Sequence, residues 1–208
     1  MKIYLASGNQ HKLSELTIAL QQAELDGCEV FSANLIGGMP EVDETGDTFE
    51  ANAIIKAEAL RLQGPKDAFY LADDSGIEID QLNGQPGIRS ARYAGNNCSD
   101  QANNEKVLSE LKEVPEEDRG CRFRCVLALM GEGLTKTFSG TCEGTLLREY
   151  RGSGGFGYDP LFLPKESETT FAEISSEEKA KISHRARALR YLMEYLRERL
   201  SLELGKPL

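Results

Sequence analysis

The amino-acid sequence predicts an α/β fold, and three features of the chain support this prediction. A short apolar run at residues 3–6 is followed by leucines at helical spacing, which is typical of a strand and the helix that follows it. A second apolar run at residues 68–72 has the length and composition of a buried strand. From about residue 120 onward, short β-like segments alternate with glycines, which indicates antiparallel strands.

Composition and charge limit the kinds of protein that this chain can be. Its 208 residues are 40% hydrophobic and 28% charged, with a formal net charge of −10, and this balance is that of an ordinary folded domain. An acidic chain is a poor candidate for binding polymeric nucleic acid. The apolar runs are too short to cross a membrane, and the N-terminus turns polar too soon for a signal peptide. Five cysteines without a C-x-x-C pair favour neither a disulfide framework nor a zinc site, so we expect a cytoplasmic protein.

The segment after the first strand contains a candidate anion site. Residues 7–12 form a Ser-Gly-Asn turn that leads into a helix, with Lys12 in the first turn. A cation is unfavourable at the positive end of a helix dipole, so Lys12 at this position indicates a bound anion such as phosphate. The alternative is a solvated lysine on an exposed face. The next strand is predicted at residues 28–33.

A helix is predicted at residues 49–63. Asp47 and Glu50 have the spacing of a capping box at its N-terminus. Asn52 and Lys56 are one turn apart and share a face. We therefore expect this helix to direct both side chains toward a cleft while its small residues pack in the core.

Two adjacent carboxylates, Asp73 and Asp74, are predicted to end the strand at residues 68–72, at the sheet edge where α/β proteins bind ligands. Burying such a pair is costly unless a cation or hydrogen-bond donors compensate it. Mg²⁺ takes oxygens from one or two carboxylates and from substrate phosphates, so a metal site is one explanation. An Asx turn that ends the strand is the other. Residues 77–82 alternate between apolar and polar side chains and are predicted to form a further, half-buried strand.

The second half of the chain begins with a long loop at residues 85–95 and a helix at residues 99–111, capped by Ser99 or Asp100. Glycines then separate three predicted strands of a meander, at residues 121–130, 135–139 and 145–148. This change in composition indicates a β-rich second lobe from about residue 120 to 165.

Residues 152–157 match the pattern G-x-G-x-x-G, but they are not expected to bind a dinucleotide. Such a site must open a helix, and Pro160 and Pro164 prevent a helix here. Phe156 therefore lies in a glycine loop, where it either stacks on a planar base or anchors the turn in the core.

The chain ends in a helical region. Residues 175–178 have the spacing of a capping box, and residues 183–200 are predicted to form the C-terminal helix. Lys179, His184 and Arg185 near its start are either solvated helix charges or donors to a ligand.

Six motifs stand in one order along the chain. They are Ser7-Gly8-Asn9-x-x-Lys12, Glu44-Thr45-Gly46-x-Thr48-Phe49-x-x-Asn52-Ala53-x-x-Lys56-Ala57, Ala72-Asp73-Asp74-Ser75-Gly76, Pro86-Gly87-Ile88-x-Ser90-Ala91-Arg92-Tyr93, Gly154-Gly155-Phe156-Gly157-Tyr158-Asp159-Pro160 and Lys179-x-x-Ile182-Ser183-His184-Arg185. Each motif is weak alone, but in this order they resemble the inosine/xanthosine triphosphate pyrophosphatase family over nearly the whole chain. The first motif begins with Ser7 where the family often has threonine, and a hydroxyl is retained.

The resemblance implies an elongated α/β fold in which a mixed β-sheet, flanked by helices, runs through two lobes of a single domain at residues 1–208. The active site would lie in the cleft between the lobes. The resemblance also implies Mg²⁺-dependent hydrolysis of ITP, dITP and XTP to the monophosphate and pyrophosphate. Such an enzyme is usually a homodimer that acts on small-molecule substrates. It removes deaminated purines from the nucleotide pool before they enter DNA or RNA.

The resemblance also implies a role for each motif residue. Asp74 would be the proton acceptor and a metal ligand, Glu44 would help to hold the metal, and Asp73 would support it. The phosphate side would be bound by Ser7, Gly8, Asn9, Gln10, His11, Lys12 and Lys56, and Ser75 would contact the substrate. The base and sugar would be bound by Phe156, Gly157, Tyr158, Asp159, Lys179, His184 and Arg185.

Two other functions stay open on the sequence. A pyrophosphatase of similar architecture could act on other modified nucleotides, which a panel of substrates would distinguish. A nucleotide-binding sensor without turnover would be expected to lack part of the carboxylate set, whereas Glu44, Asp73 and Asp74 are all present.

Overall fold

The described part of the chain contains a mixed β-sheet of six strands, and helices connect or follow these strands. The computed structural model describes residues 1–7, 10–22, 25 and 27–203. The strands are β1 (Lys2–Ala6), β2 (Glu29–Ser32), β3 (Phe69–Ile79), β4 (Gly120–Gly131), β5 (Leu134–Leu146) and β6 (Phe162–Pro164). The helices are α1 (Gln10–Gln22), α2 (Phe49–Gln63), α3 (Asp100–Glu110), α4 (Ser176–Ile182) and α5 (His184–Glu203). The strand order in the sheet is β2-β1-β3-β4-β5-β6.

The first three strands form the parallel part of the sheet. β1 is parallel to β2, with Lys2 opposite Glu29, and parallel to β3, with Ala6 opposite Ala72. Parallel neighbours cannot be joined by a tight turn, so each connection must cross over. α1 lies between β1 and β2 in the chain, and α2 lies between β2 and β3. The predicted alternation of strands and helices in this region is confirmed.

The last three strands supply the antiparallel part. β4 and β5 are neighbours in the sheet, and only Glu132 and Gly133 connect them. A connection this short can join only antiparallel strands, and Gly133, with φ +67°, provides the left-handed conformation that a hairpin turn favours. β6 is antiparallel to β5. The sheet is therefore mixed, as predicted.

β3 continues without a break through Asp73 and Asp74, so the prediction that the strand ends there was wrong. Each carboxylate has its own lysine partner, and this compensation allows both to be buried inside a strand. The strand predicted at residues 77–82 is the last part of β3, which ends at Ile79, followed by a 3-10 helix.

β5 is also one continuous strand, whereas two shorter strands were predicted across its range. Gly144 does not end the strand but allows β6 to approach it closely. A Cβ at this position would lie 2.5 Å from the carbonyl oxygen of Leu163 and 2.6 Å from the ring of Phe162. A glycine in a strand often marks such an approach rather than a turn.

The helix N-termini follow the predictions with one exception. Thr48, and not Asp47, is the N-cap of α2, because its hydroxyl accepts a hydrogen bond from the backbone N–H of Ala51. Ser99 caps α3 in the same way. At α4, Ser175 and Glu178 form the predicted capping box, in which each side chain accepts from the backbone of the other.

The chain divides into two compact units. The first consists of Met1–Asp74, Val126–Gly140 and Ala186–Leu208, and the second consists of Ser75–Cys125 and Thr141–Arg185. Each unit has buried apolar side chains of its own. Among them are Leu5, Leu60 and Leu71 in the first unit and Ile77, Phe123, Leu146 and Phe162 in the second. None of the helices in the described residues has the length and apolar character needed to cross a membrane.

Candidate active site

The first unit contains a carboxylate–lysine cluster, formed by Glu44, Asp73, Asp74, Lys12 and Lys56. Lys12 Nζ lies 2.5 Å from Asp73 Oδ1, and Lys56 Nζ lies 2.6 Å from Asp74 Oδ1. Neighbouring side chains on a strand point to opposite faces, which explains why the two aspartates have different partners. Lys56 also reaches Glu44, with 3.4 Å between Nζ and Oε1.

The local sequence explains why Glu44 is near Lys56. Asn52, on α2, is fully buried, and its Oδ1 accepts a hydrogen bond of 2.8 Å from the backbone N–H of Gly46. A Cβ at Gly46 would lie 2.7 Å from this oxygen, so the close approach requires glycine. Asn52 thus holds the loop that carries Glu44 against α2. The sequence predicted that Asn52 faces a cleft together with Lys56, and that prediction was wrong because the loop covers it.

Burial and ion pairing together shift the pKa values of Asp74 and Lys56. Burial raises the pKa of Asp74 above its ordinary value, and the attraction and hydrogen bond of Lys56 offset only part of this effect. Burial alone would lower the pKa of Lys56, but Asp74, with help from Glu44 and Asp73, raises it above the ordinary value. Lys56 is therefore a cation at neutral pH, and Asp74 is a stronger proton acceptor than an exposed aspartate.

The oxygens of the cluster suit a hard divalent cation. Asp74 Oδ2 is buried and has no hydrogen-bond partner among the described residues, while Oδ1 is bonded to Lys56. No group of three or more His, Cys, Asp or Glu side chains in the described residues is close enough to hold a metal ion. A Mg²⁺ site would therefore use Asp74 and Glu44 together with phosphate oxygens of a substrate, which is how Mg²⁺ is commonly held. Asp73 as a metal ligand stays a prediction, and its Oδ1 is bonded to Lys12.

The second unit contains the residues to which the resemblance assigns binding of the base and sugar, here called the base group. They are Phe156, Gly157, Tyr158, Asp159, Lys179, His184 and Arg185. Asp159 Oδ2 accepts from Lys179 Nζ at 2.5 Å and from the backbone N–H of Phe156 at 2.9 Å, and the side chains of Asp159 and Lys179 are almost fully buried. Lys179 Nζ also lies 4.6 Å from the centre of the Phe156 ring. One carboxylate therefore fixes both the glycine loop and a buried ammonium group.

Two glycines are required by this loop. Gly155 has φ +71°, and a Cβ there would collide with the carboxylate of Asp159. Gly157 has φ +61°, a conformation that glycine adopts without strain. The loop leads into a 3-10 helix at Asp159–Leu161 and then into β6, so the prediction that this G-x-G-x-x-G sequence does not open an α-helix is confirmed.

Other members of the base group are fixed by buried contacts. Arg185 Nη2 donates to Ser75 Oγ at 3.1 Å, and His184 stacks on Phe123 with ring centres 4.8 Å apart. Tyr158 donates its hydroxyl to the backbone carbonyl of Ser90 at 2.9 Å, and burial raises the pKa of its phenol. Tyr158 thus anchors the loop, and its hydroxyl is used inside the protein.

A cavity of 460 Å³ borders the glycine loop. Phe156 and Gly157 line it together with residues of α3. Asp100 and Asn104 of that helix hold the loop, because Asp100 Oδ2 accepts from the N–H of Gly157 at 2.6 Å and Asn104 Nδ2 donates to its carbonyl at 3.0 Å. No local sequence pattern indicates these two supports, because they join residues more than 50 positions apart.

The first motif is described only in part. Ser7 is half-buried, and Lys12 belongs to the carboxylate–lysine cluster. Gly8 and Asn9 lie outside the described residues. Gln10 and His11 are described only as the first backbone positions of α1. The predicted phosphate contacts of these four residues stay predictions.

Comparison with known proteins identifies the family. The Ham1 family profile matches residues 3–195. This chain belongs to the Ham1 family. A relative named dITP/XTP pyrophosphatase, from Opitutus terrae, is 48% identical over 94% of this chain and 98% of its own length. A Bacillus subtilis protein of the same name is 50% identical over 92% of this chain and 95% of its own.

The known structures agree with the fold. A Ham1 protein from Coxiella burnetii superimposes with a TM-score of 0.85 at 41% identity, covering 95% of this chain and 99% of that protein. Membership in the Ham1 family therefore confirms the resemblance that the six motifs indicated, and the mixed α/β sheet is that of other Ham1 proteins.

Proposed function

We propose that this chain hydrolyses dITP, ITP and XTP to the corresponding monophosphates and pyrophosphate. The observation that carries the proposal is an identity of 48–50% to proteins named dITP/XTP pyrophosphatase, over more than nine tenths of the chain. The carboxylate–lysine cluster supports it, because it combines a proton acceptor with two cations suited to phosphates. The activity removes deaminated purines from the nucleotide pool of the cytoplasm before a polymerase can use them.

Asp74 is the residue to which we assign proton acceptance. Its Oδ2 is buried and has no hydrogen-bond partner among the described residues, and burial raises the pKa of this carboxyl. A water held at this oxygen can lose its proton to Asp74 as it attacks the α-phosphorus, and pyrophosphate leaves. No covalent intermediate with the protein is needed.

The cations of the cluster balance the charge that develops on the phosphates. Lys56 and Lys12 lie against Asp74 and Asp73, and both are suited to shift toward phosphate oxygens when a triphosphate binds. When bound at Asp74 and Glu44, Mg²⁺ would neutralise phosphate charge and orient the scissile anhydride. Ser7 and the turn that follows it would complete the phosphate site at the start of α1.

The base group provides the chemistry for selecting purines that carry an oxo group at position 6 over adenine. Hypoxanthine and xanthine carry a carbonyl oxygen at position 6, where adenine carries an amino group. Arg185 and Lys179 can only donate hydrogen bonds. The amino group of adenine cannot accept a hydrogen bond from either side chain, and each hydrogen bond to the base that is not made costs roughly 1–3 kcal/mol. Phe156 provides a ring for stacking, and Asp159 holds Lys179 and the loop in place.

We also propose that the active enzyme is a homodimer, as the resemblance to the family implies. Sedimentation equilibrium at micromolar concentration measures the mass directly. The proposal predicts twice the chain mass of 23.0 kDa. A mass of one chain would exclude the dimer.

Changing Asp74 to asparagine tests the assignment of the proton acceptor. Asp74→Asn keeps the size of the side chain but removes its basicity, so we expect pyrophosphate release from ITP to fall by about 10²–10⁴-fold. Calorimetric binding of ITP should stay measurable in this variant. Asp67→Asn, at an exposed aspartate, is the matched control and should leave turnover unchanged. Near-normal turnover in Asp74→Asn would contradict the assignment.

A further inference from the structure

Ser90 connects three segments of the second unit through hydrogen bonds. It lies in the 3-10 helix Gly87–Arg92 and is buried. Its hydroxyl accepts from the backbone N–H of Ile77, in β3, at 2.9 Å and donates to the carbonyl of Gly87 at 2.6 Å. Its backbone carbonyl accepts from the hydroxyl of Tyr158, in the glycine loop, at 2.9 Å.

The sequence of β3 is shaped to receive this hydroxyl. A Cβ at Gly76 would collide with Ser90 Oγ and would lie 2.5 Å from the carbonyl oxygen of Gly87. Glycine at this position is therefore what lets Ser90 reach the N–H of Ile77. The pairing fixes the backbone of β3 at Ile77, two residues after Ser75.

Both ends of this connection lead to residues of the base group. Ser75, next to Gly76, accepts a hydrogen bond from Arg185. Tyr158 lies between Phe156 and Asp159 in the glycine loop, and Asp159 holds Lys179. Ser90 is therefore linked by one route to Arg185 and by the other to the ring of Phe156.

We propose that Ser90 is a positioning residue for base selection, which sets Arg185 relative to Phe156 without touching the substrate. The proposal rests on the proposed function, because it concerns how the same enzyme distinguishes inosine from adenosine triphosphates. Loss of the hydroxyl releases the backbone at Ile77, and the guanidinium then loses its fixed position. The residues that act on the phosphates, Lys56 and Asp74, are not linked to Ser90 by these contacts.

Steady-state kinetics with ITP and ATP separate positioning from a purely structural role. For Ser90→Ala we expect KM for ITP to rise by about tenfold while kcat changes by less than about threefold, because misplacing a recognition group weakens binding of the base. The ratio of kcat/KM for ITP to that for ATP should fall by about tenfold. The matched control is Ser32→Ala, which removes another hydroxyl that accepts from a backbone N–H, that of Asn34, and should leave the ratio unchanged.

A second variant keeps the test decisive if Ser90→Ala does not fold. Tyr158→Phe removes only the hydroxyl that donates to Ser90, and it should lower the ITP-to-ATP ratio in the same direction. An unchanged ratio in folded Ser90→Ala, or in Tyr158→Phe, would overturn the proposal. Failure of the proposed function is recognised separately, because the wild-type enzyme would then release no pyrophosphate from ITP or would not prefer it to ATP.

Discussion

At the scale of single residues, Lys56 offsets part of the effect that burial has on the pKa of Asp74. Its Nζ is 2.6 Å from Asp74 and 3.4 Å from Glu44, and its side chain is only 13% exposed. The raised pKa of Asp74 means that the folded protein binds this proton more tightly than the unfolded chain does. Protonated Asp74 therefore favours the folded state, and this contribution is lost as pH rises through the pKa in the folded protein. Lys56 lowers the pKa of Asp74 and therefore makes this pH-dependent contribution to stability smaller.

Lys56→Met should change both the rate and its pH dependence. Without the cation the pKa of Asp74 rises further, so the acidic limb of the pH profile of kcat/KM for ITP should move to higher pH. We expect kcat/KM near neutral pH to fall by about 10²–10³-fold. Lys66→Met, at an exposed lysine, is the control and should keep the wild-type profile. An acidic limb that stays in place in Lys56→Met would show that Lys56 does not govern the titration of Asp74.

The sequence predicted the residues of this cluster but not how they pair. Lys12, Lys56, Asp73 and Asp74 all belong to motifs, and the opposite directions of adjacent strand side chains follow from strand geometry. Which lysine meets which aspartate depends on how each helix packs against the sheet, and no local pattern contains this information. The same is true of Asn52. Helical spacing predicts the face of α2 on which Asn52 lies, but it does not predict that a loop covers this residue.

At the scale of elements, the errors of prediction have a common cause. Local polarity at Asp73 and a glycine at residue 144 were both interpreted as strand ends, yet β3 and β5 continue through them. In β3, lysines from other segments compensate the carboxylates. In β5, the glycine is needed for contact with β6. In both cases the cause is a contact with residues that are distant in sequence, so a local sequence pattern could not predict that the strand continues.

Gly144→Ala tests the explanation for β5. The new methyl group would lie 2.5 Å from the carbonyl oxygen of Leu163 and 2.6 Å from the ring of Phe162. We expect the free energy of unfolding in urea to fall by about 1–3 kcal/mol, because a tightly packed site has no room for an added carbon. Glu143→Ala, at the neighbouring and exposed position, should change it by no more than about 0.5 kcal/mol. Equal stability of Gly144→Ala and the wild type would show that β6 does not require a glycine there.

At the scale of the whole molecule, fold class and family could be predicted because they depend on repeated or ordered features. Strand and helix patterns indicated an α/β sheet, and the order of six motifs indicated the family. The borders of the two compact units were not accessible in this way. They fall inside β3, β4 and β5, for example between Asp74 and Ser75, where the strand pattern continues on both sides.

The net charge of −10 is a property of the whole molecule and does not describe the charge close to the candidate site. It argues against polymeric nucleic acid, but it does not oppose a small anionic substrate, because salt screens distant charges over about 10 Å. The cations that we expect to bind such a substrate are Lys12 and Lys56 in the carboxylate–lysine cluster and Lys179 and Arg185 in the base group.

Hydrolysis of ITP is tested most simply by the initial rate of pyrophosphate release from the wild-type protein with Mg²⁺, measured separately with ITP and ATP. A site that hydrogen-bonds a base carbonyl should give a kcat/KM for ITP that exceeds that for ATP by about 10²-fold or more. The products from ITP should be IMP and pyrophosphate in equal amounts. Equal turnover of the two nucleotides, or binding of ITP without release of pyrophosphate, would show that the protein is not a pyrophosphatase selective for ITP.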